Sequence, residues 1–196
     1  TGWSVFWGFS PLFVYTVLPL ADWLIGEDRV NPPEAQVREL EQDSYYDWAV
    51  FLAVPVQMAV FGWAVWAAAT LDLHWFELLG LAISIGGIGG ASINPAHEFG
   101  HKPGFLRGLL AKLALSQTGY GHFYVEHNRG HHVRVATPED PASARFGETF
   151  WEFLPRSVIG GMVSGWKLEK ARLERQGHSV WNWRNNNLQA WAMTVV

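Results

Sequence analysis

The chain has 196 residues, 49% of them hydrophobic, with twelve Trp, twelve Phe and a formal net charge of −4 at pH 7. So mild a charge offers no footprint for nucleic acid. The chain has no cysteine, which excludes disulfides, thiolate zinc sites, iron–sulfur clusters and a haem-thiolate centre, so any metal is held by nitrogen or oxygen.

Length predicts one domain, 1–196. Residues 2–24 read as a first membrane span, long enough for a hydrocarbon core that needs about 20 helical residues. They have no basic start and no small-residue cleavage site, so they do not read as a signal peptide. Residues 25–46 turn polar, with Asn31-Pro32-Pro33-Glu34 and a charged run to Glu41 and Asp43, and read as a cytosolic loop with a short surface helix. Spans follow at 47–70 and 74–96, joined by Leu71-Asp72-Leu73 as a helical hairpin. The third span carries Gly86-Gly87-Ile88-Gly89-Gly90, small residues that either pack helices closely or leave room for an apolar substrate.

Residues 97–185 hold no convincing span. The apolar stretches 109–115 and 158–163 are too short to cross. Residues 166–176 alternate acids and bases at helical spacing and read as a charged surface helix. Another span starts at 187–196. The fold class is therefore all-α, an integral membrane helical bundle with a cytosolic helical segment carrying a histidine-rich metal site. None of the fourteen Lys and Arg lies in 1–28 or 47–101. Basic residues mark the cytoplasmic side, so 25–46 and 97–185 both face the cytoplasm.

Six of the eight histidines lie between Asn94 and Asp140. Imidazole is neutral near pH 7 and is the commonest protein metal ligand. His97 and His101 are four residues apart, on one face of a helix, and His127 and His131 repeat that spacing. His132 lies ~100° further round, placed for a second ion beside the first. His122 is either a ligand or a neighbour of one. Glu98, Glu126, Glu139 and Asp140 are the carboxylates available to orient ligand imidazoles. Imidazole-rich sites suit zinc, copper, iron and nickel alike. His97-Glu98-Phe99-Gly100-His101 also fits the zinc-protease motif, so a membrane zinc metalloprotease and a metal-binding transporter stay open on the residues alone.

The two boxes carry a more specific likeness. Asn94-Pro95-Ala96-His97-Glu98-Phe99-Gly100-His101-Lys102 resembles the first histidine box of the membrane alkane monooxygenases, the AlkB-type alkane hydroxylases. The run from Gly119 to His132 resembles their second. Ala136-Thr137-Pro138-Glu139-Asp140-Pro141, Leu18-Pro19-Leu20-Ala21-Asp22, Gly26-Glu27-Asp28 and Asn31-Pro32-Pro33-Glu34 are also similar to the family. The resemblance implies a non-haem di-iron enzyme of the bacterial inner membrane. It would hydroxylate the terminal carbon of n-alkanes with O2 and with electrons from rubredoxin and rubredoxin reductase. It makes His97, His101, His127, His131 and His132 ligands of two iron ions and His122 a nearby non-ligand. A related membrane fatty-acyl desaturase or hydroxylase is the alternative. A further histidine box, another ligand histidine and an additional span of that family have no counterpart here, so the chain is expected to be an internal part of a longer protein. Val14, with Tyr15 second, is the expected wall at the end of an alkane channel, about mid-membrane in the first span.

Overall fold

The computed structural model describes residues 7–27, 30–41 and 43–195, and every regular element among them is helical. Residues 2–6 of the expected first span, Asp28 and Arg29 of the loop and Val196 of the expected last span lie outside the described residues. The chain falls into two compact units, 1–92 and 93–196.

In the first unit, α1 (Phe9–Ile25) is an apolar helix interrupted by a π-turn over Phe13–Val17. Pro19 has no N–H to give to the carbonyl of Tyr15, so the regular ladder is already broken where the turn widens. The expected surface helix is α2 (Glu34–Glu41), exposed along nearly all its length. Asp43 caps α3 (Ser44–Thr70) by accepting the Tyr45 N–H at 2.9 Å. After residues 71–74, α4 (Trp75–Ala91) begins with the Glu77 carboxylate accepting the His74 N–H at 2.8 Å.

Two polar ties cross this otherwise apolar unit. Gln57 Nε2 donates to the Ile88 carbonyl at 2.9 Å, and Ser84 Oγ donates to the Trp7 carbonyl at 2.7 Å. In an apolar surround each side-chain donor needs such a partner. The close backbone approach is at Gly80, where a Cβ would lie 3.1 Å from the Gly8 nitrogen. Space beside Gly86, Gly87 and Gly90 is open. Within the run 86–90 only Gly89 is buried, and the close backbone approach falls at Gly80, outside it.

The large apolar side chains of this unit point outward, among them Trp48, Leu52, Val56, Trp63, Trp66, Leu79 and Ile83. Water would charge about 25 cal/mol for each Å² of such surface, and hydrocarbon would not. Two helical stretches, Ser44–Thr70 and Trp75–His101, are long and apolar enough to cross a membrane. The protein is a membrane protein built as a helical bundle. The second stretch runs past residue 96, with a one-residue turn at Ser92, and carries the first histidine box on its end.

The second unit starts with α5 (Ile93–His101). Pro95 sits in its first turn, where a missing N–H breaks no bond. Gly104, at φ +134, turns the chain into α6 (Phe105–Ser116). Then come α7 (Phe123–Glu126), a π-turn over His127–His131, and α8 (His132–Arg134). The long α9 (Phe150–Arg175) opens on a capping box between Thr149 and Glu152. Last is α10 (Asn186–Val195), seated on the turn before α7, where a Cβ on Gly121 would meet Ala190 at 2.4 Å. Ala96, Phe99, Ala111, Ala114, Leu115, Val125, Leu173 and Ala190 form the buried core.

The charged stretch 166–176 belongs to α9 and is not a uniformly solvated surface. Glu169 is fully buried. Its carboxylate accepts from Arg129 at 2.8 Å, from Arg172, and from the backbone and side-chain N–H groups of Asn186 at 2.8 and 2.9 Å. One acid thus ties α9 to the π-turn and to the start of α10.

Candidate metal centre

Four imidazoles from two segments converge in the second unit. One ligand nitrogen from each of His97, His101, His127 and His132 lies within 4.8 Å of the other three. His97 Nε2 and His101 Nε2 are 3.1 Å apart, one helical turn from each other on α5. His127 Nε2 and His132 Nε2 are 3.0 Å apart across the π-turn. At metal–nitrogen bonds of about 2.0–2.1 Å, donors so spaced would subtend roughly 95° at one ion, a reasonable ligand–metal–ligand angle. Each of these two pairs therefore fits a metal ion.

The second pair differs from the α-helical expectation. Spacing alone pairs His127 with His131. In a regular α-helix a residue five positions on lies ~140° round the axis and faces away. Here the helix takes in one extra residue: the His132 N–H reaches the His127 carbonyl, an i→i+5 bond. That widening brings His132 onto the face of His127. His131 turns toward Asp140 instead, with Nδ1 2.8 Å from Oδ2.

The four carboxylates named from sequence separate clearly. Glu98 Oε1 lies 3.1 Å from His97 Nδ1. Asp140, almost fully buried, accepts from His131, from the Ala142 N–H at 3.0 Å and from the Ser143 hydroxyl. Glu126 is buried and pairs with Arg134 at 2.8 Å. Glu139 lines an open pocket with Arg134, Arg145, Arg156 and Lys167. His122 is buried against Tyr120 with neither ring nitrogen hydrogen-bonded, and does not belong to the four-nitrogen cluster. Val14 and Tyr15 lie in the π-turn of α1, both exposed.

A model of the fatty acid desaturase family matches residues 73–196, the part that holds both histidine boxes. The chain belongs to the fatty acid desaturase family. Over its full 196 residues this desaturase-family chain is 44% identical to alkane 1-monooxygenase of Pseudomonas putida, of which it covers 49%. It is 44% identical to alkane 1-monooxygenase 1 of Alcanivorax borkumensis, again over its whole length and over 48% of that protein. It is 43% identical to alkane 1-monooxygenase of Ectopseudomonas oleovorans, with 49% of that relative covered. The chain spans about half the length of the curated relatives it matches.

The electrostatics of the desaturase-family chain prepare the imidazoles as donors. Burial, then the neighbouring histidines His97, His132, His131 and His101, push the pKa of His127 down to about 4. It is therefore neutral at pH 7 and its lone pair is free. Burial alone pushes His122 down to about 4 as well. Burial would raise Asp140, but the Ser143 hydroxyl, the Ala142 N–H and His131 outweigh it and hold its carboxyl below the usual range. An ionised Asp140 only accepts hydrogen bonds, so His131 Nδ1 must carry the proton and donate. That tautomer leaves the lone pair on His131 Nε2. On His97 it is Nδ1 that meets Glu98, and Nε2 is the atom that faces His101.

Proposed function

We propose that this chain carries one part of the metal centre of a membrane-bound non-haem di-iron alkane hydroxylase. The observation that carries the reading is the convergence of His97, His101, His127 and His132 at the end of an apolar helical stretch. The names of the relatives supply the reaction class. His97, His101, His127, His131 and His132 hold two iron ions together with donors from elsewhere in the whole protein. The irons supply the activation of O2, one atom going to the terminal carbon of an n-alkane and the other to water. Electrons reach the site from rubredoxin and rubredoxin reductase.

The residues of this chain do the holding and orienting. Asp140 fixes the tautomer of His131 and Glu98 meets His97 at Nδ1, and outer carboxylates of this kind raise the basicity of their imidazoles. The site faces the cytoplasm of a bacterial inner membrane, where a soluble electron donor can reach it. Of Lys167, Lys170, Arg172 and Arg175 on α9, the cations that could greet such a donor, Arg172 is bound to Glu169 and the Arg184 carbonyl, and Lys170 pairs with Glu174 at 3.7 Å. Lys167 and Arg175 remain the exposed positive charges of that surface.

The test uses the whole membrane protein. Iron content and alkane-dependent O2 uptake are measured together for the unmodified protein and for His97→Ala and His132→Ala. Loss of bound iron and of uptake in both variants is expected. Full iron and full uptake in either one removes that histidine from the centre, and O2 uptake that ignores alkane removes the substrate class.

A further inference from the structure

The π-turn at His127–His131 is what brings His127 and His132 together, and α-helical propensity does not supply it. A π-bond closes a wider ring than the α-bond it replaces, and such single turns occur where something holds them, frequently at functional sites. Glu126 stands immediately before the turn and Arg134 three residues after it. Their side chains meet over it, with Arg134 to Glu126 Oε1 at 2.8 Å. The guanidinium also donates to Ser164 Oγ on α9 at 2.7 Å and, from Nε, to the Gly130 carbonyl at 3.3 Å, inside the turn. One cation therefore grips the residue before the turn, a carbonyl within it and a neighbouring helix.

Gly130 completes the arrangement. It is buried, and a Cβ there would sit 2.4 Å from both oxygens and the carboxyl carbon of Glu126. The carboxylate lies flat on bare backbone, and any side chain at 130 displaces it. Through Arg134, polar groups from three places in the chain, Glu126, Gly130 and Ser164, are tied to one point.

We propose that Arg134, Glu126 and Ser164, seated over Gly130, form a clamp that sets the π-turn and so places His127 and His132 on a common ion. Arg134 and Gly130 are positioning residues: they touch no metal and act through the two imidazoles. The inference rests on the metal-centre reading above and adds a cause for its geometry. Without the clamp the turn relaxes toward the α-helix, His132 swings round the axis, and one donor leaves the set.

The experiment measures Co(II) affinity of the whole protein in detergent, by competition with a coloured chelator, together with the cobalt absorption bands that report donor number. The variants are Arg134→Met, Arg134→Lys, Gly130→Ala, Ser164→Ala, and Gly130→Ala with Arg134→Met. Arg134→Met and Gly130→Ala are each expected to weaken cobalt about 10- to 100-fold, the usual effect of losing a supporting group around a metal, and to shift its bands. Arg134→Lys should recover part of the loss. The double variant should be little worse than either single one, because both act through one turn. Ser164→Ala, which removes a single tie and leaves no large cavity, should weaken binding less and with the same band shift, and it serves if the larger changes do not fold. Wild-type affinity and bands in Arg134→Met, Gly130→Ala or Ser164→Ala overturn the clamp. So do fully additive losses in the double variant. If the unmodified protein binds no cobalt, the metal-centre reading itself falls, and the clamp with it.

Discussion

At the scale of single residues, the centre depends on which nitrogen of each imidazole carries the proton. His131 shows this most plainly. Asp140 is buried, ionised and already accepts from Ala142 and Ser143, so its remaining acceptor strength is directed at His131 Nδ1. Asp140→Asn keeps the volume and changes the sign of the argument. An amide can donate as well as accept, so the tautomer of His131 is no longer fixed, and the negative charge that strengthens Nε2 as a donor is gone. If His131 holds an ion as proposed, the expected outcome is a loss of about 10- to 100-fold in affinity for it. Cobalt titration of the variant checks it. Equal affinity would show that the pair serves only to fasten the loop 136–143. The sequence narrowed this partner to four carboxylates and could go no further. Asp140 and Glu126 are both acids close to histidines in the chain, and only folding turns one toward His131 and the other toward Arg134.

At the scale of elements, Glu169 is the clearest case of an interaction hidden from the sequence. Within α9 it sits among Lys167, Lys170 and Arg172 and looks like one more surface charge. Its decisive partners are far along the chain, Arg129 at a separation of 40 residues and the Asn186 N–H at 17. No periodicity encodes such distances. Glu169→Ala leaves the Asn186 N–H without its acceptor and takes the carboxylate from Arg129, which is partly exposed, and from Arg172, which keeps the Arg184 carbonyl, at a cost of about 1–3 kcal/mol. Denaturant unfolding of the variant should show it, and a change below about 1 kcal/mol would mean that water replaces the carboxylate. What the sequence did convey follows from simple periods. Apolar length marked the helices Ser44–Thr70 and Trp75–His101, and the i, i+4 spacing marked His97 with His101. The π-turns were illegible because an extra residue in a turn leaves no trace in spacing. One of them carries His127. The other, Phe13–Val17, carries Val14 and Tyr15, of which Val14 is the less exposed. If Val14 ends an alkane channel, Val14→Trp shortens it. Each buried CH2 contributes about 0.8 kcal/mol, so losing three should lower kcat/KM for the longest alkanes roughly 60-fold and spare short ones. An unchanged chain-length profile would place the channel elsewhere.

At the scale of the whole molecule, the proposed reaction would require that the histidines and the electron donor share one side of the membrane. The chain's charges are sorted as that demands. Every Lys and Arg lies in 29–38 or in 102–184, and none lies in or beside the link 71–74. The proposed orientation follows the positive-inside rule and puts both basic segments on the cytoplasmic side. In the proposed orientation the two stretches Ser44–Thr70 and Trp75–His101 would cross as a hairpin and bring the first histidine box back to the inner side. Each stretch has 27 residues, or about 40 Å of helix at 1.5 Å per residue, more than the ~30 Å of a hydrocarbon core. In the proposed orientation the extra length would let His97 and His101 stand at the membrane face instead of inside it. The link is exposed at Asp72 and the long helix α9 at Lys170. A cysteine at Asp72 should therefore react with a membrane-impermeant maleimide added to intact cells. One at Lys170 should react only after the cells are opened. The chain contributes no cysteine of its own to confuse the result. Labelling of both positions from the same side would mean that the pair of apolar stretches does not cross as a hairpin, and the histidine centre would lose its route to a cytoplasmic electron donor.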